Sequence, residues 1–591
     1  MRPRYLLVAL AGSDPALAGR IERRMQAKDL RSVLRTPRLL AFVNGGCNAL
    51  PVGDAGIVVG TLFPRHGPAE AVTSLAEADQ RAIAQDFPRR LLDRFWGGYV
   101  AALDGSEAAV MRDPSAALPC YAAQTRACSA FASDAELLIE SGIADGGIDW
   151  DGLAGHLQRS GLPTPLTALT GIGELLAGFV LRLPGRMDRQ QPCWSPWDHA
   201  GATDMDAPVM AERLARTIRH CVHAWSRAHG RLLASVSGGL DSSIVAAALA
   251  GCGADAICLT MYGEDASGDE RLYARALCDH LGLPLVERPY DLDRIDICQA
   301  LGAHLPRPSD RTHALSYEQA HLDVAAEAGA AAFVTGNGGD SLFGYSQSAA
   351  AAADRFLAQG LGAGVAATLG DVSRQTGCGL LRAATAALRI MRRPPAYVWR
   401  REALFLDGDI LGLDPVTLDH PWLHAPPGAL PGKAAHIASI LRVQQCLEPS
   451  RSSVLPVINP LLSQPALELC LAVPSWEWRS GGRDRSLARR AFEKSLPPAI
   501  VQRRVKGGPD GFAARVLDRF RAQIRERLLD GHLARQRIID TAAIEHELAQ
   551  DRSSAGEQRS RLLELVAAEA WIDRWVERSQ GPERRRSAAP A

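Results

Sequence analysis

Two short apolar runs in the middle of the chain each stop at a glycine turn. Leu232-Leu233-Ala234 enters Ser235-Val236-Ser237-Gly238-Gly239-Leu240-Asp241-Ser242-Ser243, after which Ile244–Ala250 is wholly apolar. A short apolar run bounded by glycines predicts a buried strand, and the longer run behind the turn predicts a helix. Ala331–Val334 repeats the pattern and runs into Thr335-Gly336-Asn337-Gly338-Gly339-Asp340-Ser341-Leu342-Phe343-Gly344-Tyr345. Ile257–Tyr262 predicts a further strand. Near the start, Tyr5–Leu10 follows two arginines and is cut off by Ser13-Asp14-Pro15. The outline resembles a secretory signal, but the apolar core is short and interrupted, so it predicts the first strand of an N-terminal domain. No uninterrupted apolar segment reaches the roughly 18 residues of a spanning helix.

The chain has 591 residues, which implies more than one core, since single cores stop growing near about 250–300 residues. Trp194–Asp206 predicts a linker between a domain at 1–200 and a second at 207–579. Residues 580–591, with Glu583 and Arg584–Arg586 ahead of Ala and Pro, predict a disordered tail. Lys and Arg total 66 and Asp and Glu total 66, so no net field selects nucleic acid or a membrane surface. The 12 cysteines are scattered, with no Cys-x-x-Cys pair and no zinc spacing. That predicts buried, reduced thiols in a cytoplasmic protein. Arg389–Arg401 mixes arginines with Tyr397 and Trp399. It reads as a solvated helix end with a packed tryptophan, the alternative being a surface that grips a peptide or partner.

The first glycine turn also has a chemical reading. A strand, a glycine turn and a helix N-terminus leave backbone N–H groups unpaired beside the positive end of the helix dipole, which suits a pyrophosphate. Gly238 and Gly239 let the backbone approach an anion closely, the Ser237, Ser242 and Ser243 hydroxyls donate to it, and Asp241 is placed to hold a magnesium ion. An ordinary strand-to-helix turn is the plain alternative. The loop is not a Walker loop, because no Gly-Lys-Ser/Thr follows. In an open parallel sheet, ligands bind beyond the carboxyl ends of the strands, so the two glycine loops are expected to face one site. Asp241 and Asp340 then share one magnesium ion, which favours one or two carboxylates plus phosphate oxygens.

Ser235–Ser243 resembles the pyrophosphate loop of enzymes that split ATP between its α and β phosphates. The tRNA-thiolating members of that group are disfavoured, because they need a paired catalytic thiol. With the Thr335–Tyr345 loop, the chain resembles the asparagine synthetase family, whose synthetase domain carries SGGLDSS and a TGEGADELFGGY-like segment. Asn337 stands where that segment has glutamate and where the related β-lactam synthetases have tyrosine. Asn459–Pro465, Leu467–Leu471, Gly481-Gly482-Arg483-Asp484-Arg485, Leu487–Phe492 and Arg503-Arg504-Val505-Lys506-Gly507-Gly508 make the pattern most similar to the isopeptide-forming cyclases of lasso peptide biosynthesis. The likeness covers most of the chain and is weakest at 347–430. Phe95–Leu103 and Met111–Tyr121 resemble strands of the family's glutaminase domain, yet Arg2 stands in place of its nucleophilic cysteine and the first thiol is Cys47.

The resemblance implies an α/β fold in two parts. Residues 1–200 form a degenerate glutaminase-like (Ntn-type) αββα sandwich without its nucleophile, and 207–579 a parallel-sheet synthetase domain of the adenine nucleotide α-hydrolase-like, PP-loop ATP pyrophosphatase kind. It implies ATP and Mg²⁺ as cofactors. Ser237, Gly238, Gly239, Leu240, Asp241, Ser242 and Ser243 hold the pyrophosphate, while backbone groups of Ser235, Met261, Thr335 and Gly336 frame the adenosine. Lys506 matches the family lysine that reaches the active site, the plain alternative being a surface lysine beside Arg503 and Arg504. Asp241, Asp340 and Lys506 are thus the expected catalytic groups. The activity implied is an AMP-forming ligase that adenylates an Asp or Glu side chain of a lasso core peptide and lets the peptide's own N-terminal amine attack. Glutaminase activity is not expected. The resemblance further implies association with a leader-cleaving cysteine protease and a leader-recognition protein, and no nucleic acid or membrane partner. Two alternatives stand beside it: a β-lactam-synthetase-like or asparagine-synthetase-like small-molecule amide ligase, and a non-catalytic nucleotide-binding partner.

Overall fold

The computed structural model describes residues 1–579 apart from 106, 160, 202–204, 266–267, 310, 413–417, 505–506 and 551–555. The predicted tail at 580–591 therefore lies outside the described residues.

The N-terminal half is built on two six-stranded antiparallel sheets. Tyr5–Leu10 is the strand that the sequence predicts, and it pairs with Leu39–Val43 on one side and Cys128–Ala132 on the other, so it lies in the interior of its sheet. Its run is apolar throughout because both faces are buried. Tyr5, Leu7 and Ala9 join the core between the sheets, while Leu6, Val8 and Leu10 join the core under the outer helices. In the second sheet, Phe95–Asp104 pairs with Gly56–Pro64 and Ala108–Arg112. Helices cover the outer faces. Pro15–Gln26 turns Ala18, Ile21 and Met25 inward and is capped by Asp14, which accepts from the Leu17 N–H. The result is the α/β architecture expected, with antiparallel sheets first and a parallel sheet after them.

That parallel sheet has five strands, in the order Leu285–Pro289, Ala256–Tyr262, Leu232–Ser235, Ala332–Val334 and Val457–Ile458. It too is buried on both faces. Leu232 and Ala234 belong to one core, and Leu233 with Phe333 to another. The two glycine loops leave the carboxyl ends of adjacent, directly paired strands, Leu232–Ser235 and Ala332–Val334.

The two halves share cores rather than merely touching. Phe63 of the second sheet meets Trp225 of the Ala207–Arg227 helix edge-on, with ring centroids 5.0 Å apart. Arg65 forms a bidentate pair with Glu468. The Gly556–Ser579 helix buries Trp571 and Trp575 in the core that also contains Leu6 and Val8. The stretch expected to be a linker is itself packed: Trp194 is buried, and the Trp197 indole donates to the Trp422 carbonyl at 2.9 Å.

After the second glycine loop come three short helices, Ala350–Gln359, Ala363–Thr376 and Leu380–Met391, around a small alanine-rich core. The basic run that follows delivers Trp399 inward. Its indole donates to the Arg159 carbonyl at 2.7 Å, and the Arg442 guanidinium lies 4.3 Å from the ring centroid. The tryptophan is thus packed, as the first reading of that run expects. The thiol expectation holds for Cys47, Cys120, Cys128, Cys221, Cys258, Cys278 and Cys470, which are buried, but Cys298 and Cys446 are exposed. Cys298 lies in a turn, and Cys446 ends the short Gln444–Cys446 helix at the edge of a cavity. No helix among the described residues is long and apolar enough to cross a membrane.

Candidate active site

Beyond the carboxyl ends of the parallel strands lies a cavity of about 500 Å³, within the ordinary range for small-molecule sites of about 300–1,000 Å³. Both glycine loops line it. Leu232–Ser235 ends, Gly238 turns the chain at φ +62°, and Gly239 starts the Leu240–Gly251 helix. The first-turn N–H groups of Leu240, Asp241 and Ser242 have no carbonyl one turn earlier to receive them, so they form an anion cradle. The second loop lies against the first. A Cβ added at Gly336 would sit 2.5 Å from the Ser242 nitrogen, and one at Gly339 would strike the Asp241 side chain. Glycine at both positions is what lets the loops close to contact.

That contact brings the two predicted aspartates together. Arg485 reaches both with one guanidinium nitrogen: Nη1 donates to Asp241 Oδ2 at 2.8 Å and also to Asp340 Oδ1. Asp484 takes the other side of the same guanidinium at 2.8 Å. Burial alone would weaken the arginine's hold on its proton, but Asp241, Asp340 and Asp484 overcome that and raise its pKa above the ordinary value. Arg485 takes a left-handed backbone conformation, φ +51°, uncommon for a residue with a side chain. A cationic nitrogen held between the two carboxylates shows that they converge on a single point. Two oxygen donors from two loops, with open cavity beside them, fit a magnesium ion that takes its remaining ligands from phosphate and water. Among the described residues no cluster of three or more His, Cys, Asp or Glu forms a metal cage.

The rest of the expected site is placed as follows. Ser235, Ser237, Gly239, Leu240, Asp241, Ser242, Met261, Thr335, Gly336 and Asp340 all line the cavity. Gly238 and Ser243 do not. Gly238 packs against Tyr273, where a Cβ would collide, and Ser243 is fully buried in the helix, its hydroxyl without a partner. Their contribution is to loop shape rather than anion contact. Lys506 and its neighbour Val505 lie outside the described residues. The flanks of that segment are tied to the first loop: Arg503 donates to the Ser237 carbonyl at 3.1 Å, and Arg503 and the Gly507 N–H both bond Glu270. Gly507, Gly508 and Pro509 line the cavity.

Several supporting groups escape a reading of the loops alone. Thr335 Oγ1 donates to Asn459 Oδ1 at 2.6 Å and its N–H to the Ile458 carbonyl at 3.0 Å, fixing the second loop to the Val457–Pro465 segment at the cavity's edge. Ser235 Oγ lies 2.8 Å from His321 Nε2, and His321 Nδ1 lies 2.8 Å from the Tyr317 carbonyl. A carbonyl only accepts, so Nδ1 carries the proton and the ring accepts from Ser235. Burial holds His321 neutral, its pKa well below the ordinary value. Arg485 had a signal in the sequence, since Gly481–Arg485 is part of the family-like pattern, but nothing in the residue types alone assigns it to the aspartates. His321 lies 78 residues beyond Ser243, counting from 243 to 321, and only the fold joins it to the loop.

A profile of the protein family described as Asparagine synthase matches residues 213–573 of the chain. The match spans the whole parallel sheet, both glycine loops and the Arg503–Pro509 segment. No curated protein matches the sequence.

Proposed function

The chain belongs to the asparagine synthase family, whose general activity is ATP-dependent carbon–nitrogen ligation, and on that premise we propose that it is an AMP-forming macrolactam synthetase of lasso peptide biosynthesis. The observation that carries the proposal is the convergence of Asp241 and Asp340, from two loops at the carboxyl ends of paired strands, beside a helix N-terminus. A carboxylate resists an amine because it is negatively charged and has no leaving group. Transfer to AMP, with pyrophosphate as the displaced group, removes both obstacles. Leu240–Ser242 N–H groups receive the pyrophosphate, and backbone of Ser235, Met261, Thr335 and Gly336 borders the nucleoside. Asp241 and Asp340 would hold magnesium, which offsets charge on the departing phosphates. Lys506, carried on a segment whose flanks are anchored to Glu270, supplies the cation for the adenylation transition state and the later oxyanion.

The source of nitrogen separates this reading from a glutamine-dependent synthetase. Where the N-terminal sandwich meets the parallel-sheet half lies a small cavity of about 90 Å³, bordered by Arg2, Gly46 and Ser115 on one side and Trp225, Glu448 and Asn459 on the other, with no cysteine among the described residues of its wall. Burial pushes the Cys47 thiol up to about 12, far from a reactive thiolate. The nitrogen is then an amine already on the substrate, and a peptide holding its own amine next to its own acyl-adenylate gains the advantage of an intramolecular step. Its partners are the precursor peptide, a leader-cleaving cysteine protease and a leader-recognition protein, in the cytoplasm.

Incubation with Mg-ATP and a linear lasso core peptide carrying an Asp or Glu acceptor tests the proposal. The expected product is lighter than the peptide by one water, with its N-terminus blocked to Edman chemistry. A dehydrated product with a free N-terminus, or ammonia-dependent amidation of a free amino acid at comparable rate, would replace it with a small-molecule ligase.

A further inference from the structure

The nucleotide cavity has a neighbour. A second cavity, of about 390 Å³, shares Arg442 and Cys446 with it as a common wall. The backbone relates the two independently of that wall. On the Ala314–Ala328 helix and its cap, His313, Tyr317 and His321 are spaced four residues apart and so lie along one face, about 6 Å of helix axis between each pair. His321 supports Ser235 of the first glycine loop, Tyr317 lines the nucleotide cavity, and His313 lines the second. The two cavities are therefore successive along one helix face. The far side of the second cavity comes from the N-terminal sandwich, through His156 and Leu157, and from Arg561 on the C-terminal helix, which donates to the Leu157 carbonyl at 3.0 Å.

The wall is polar and charged in both senses. Glu402 and Glu564 bring carboxylates to it, the second paired with Arg561 at 3.0 Å, and Arg307, Arg311 and Arg442 bring further guanidinium groups. Burial, with Arg311 nearby, lowers the His313 pKa to about 4, so its imidazole is neutral at physiological pH. A chamber with these properties suits a short length of peptide backbone and an amine, whose N–H groups need acceptors and whose charge needs a carboxylate.

Resting on the macrolactam reading of the nucleotide site, we propose that this second chamber is the acceptor seat, holding the amine-bearing end of the peptide while its side-chain carboxylate is adenylated next door. It gives the sandwich a role without its thiol, as one wall of the seat. In the step served, the seated ammonium first gives up one proton to become nucleophilic, its nitrogen forms a bond to the acyl carbon, the bond from that carbon to the AMP oxygen breaks with its electron pair leaving on AMP, and the nitrogen releases a second proton, both protons going to solvent or a chamber acceptor. An empty seat leaves the adenylate to water, which returns the linear peptide and AMP.

Filling the chamber without touching the nucleotide cavity tests this. Gln445→Trp and Ala314→Phe are suitable because Gln445 and Ala314 line the second cavity and not the first. With Mg-ATP and the linear core peptide, each folded variant is expected to retain pyrophosphate exchange into ATP while macrolactam formed per AMP falls at least about tenfold, a step of 1.4 kcal/mol, linear peptide making up the difference. Unchanged macrolactam per AMP in both variants overturns the acceptor seat. So does loss of exchange together with macrolactam in both, since the chamber would then serve the nucleotide. Absence of peptide-dependent exchange in the wild-type protein is a different failure, of the ligase reading on which the seat rests.

Discussion

The cavity at the parallel sheet and the smaller one between the N-terminal sandwich and the parallel-sheet half stand in contrast. The first holds about 500 Å³ and is walled by two glycine loops, a pair of convergent aspartates and a helix N-terminus. The second holds about 90 Å³, and the thiols adjoining its wall, Cys47 and Cys120, are buried and pushed up to about 12. Both halves are equally well packed, with strands buried on both faces. Packing is therefore no guide to which half does chemistry. What differs is whether polar groups converge on open space. In the sheet loops, glycines bring charged side chains together around a cavity.

Expected effects, from largest to smallest, probe that contrast. Asp241→Asn and Asp340→Asn each remove an anionic ligand from the shared cation point, and peptide-dependent pyrophosphate exchange is expected to fall by about 10²–10³-fold or more, with far-UV circular dichroism unchanged. Lys506→Met is expected to cost about 10²–10³-fold in turnover with little change in ATP or peptide affinity. Exchange near the wild-type rate in both aspartate variants would remove the shared metal site.

Arg485 gives a subtler test. Its guanidinium holds the place between the aspartates that a metal would take. Arg485→Met is expected to tighten Mn²⁺ binding to the nucleotide-free protein on the order of tenfold, comparable to the effect of a neighbouring charge on a carboxylate's proton affinity. Electron paramagnetic resonance of free Mn²⁺ reads this directly, and weaker binding would show that Arg485 helps build the metal site rather than standing in for the ion.

On the sandwich side, Cys47→Ala is expected to leave macrolactam formation unchanged, and wild-type protein to release no glutamate from glutamine. Glutamate release at turnover rates would restore a glutaminase to the N-terminal half.

The smallest effect concerns pH. Burial holds His156, His304 and His420 at about 3 and His229, His313 and His436 at about 4. An unfolded histidine titrates near about 6.5, so below that pH the unfolded chain binds more protons than the folded one. The stability these groups contribute is present above pH about 6.5 and is lost as pH falls toward 4 and 3. The urea midpoint is expected to drop across that window, and His436→Gln to lessen the slope by up to about 1.4 kcal/mol per pH unit.

Much of this was legible in residue order, and the reason is local. Tyr5–Leu10, Leu232–Ser235 and Ala332–Val334 are strands buried on both faces, so their apolar runs need no partner to be recognised. The glycine loops are likewise continuous segments whose chemistry sits within nine or eleven residues of chain. Pairings that act across the fold left no trace in the residue types alone. Arg485 meets Asp241 at a separation of 244 residues, and His321 meets Ser235 at 86. The second chamber is assembled from the sandwich, the Ala314–Ala328 helix and the C-terminal helix, and no single stretch contains it. Ser243 shows the opposite error. A hydroxyl next to the loop in sequence faces the core, because the helix has already turned it away.

The central claim, that the two glycine loops activate a carboxylate as its adenylate, is most directly tested by oxygen transfer. The linear core peptide, labelled with ¹⁸O in its acceptor side-chain carboxylate, is turned over with unlabelled Mg-ATP and the nucleotide products are weighed by mass spectrometry. The account predicts AMP carrying one heavy oxygen, with pyrophosphate unlabelled. Unlabelled nucleotide as ADP, with the heavy oxygen in inorganic phosphate, would contradict it.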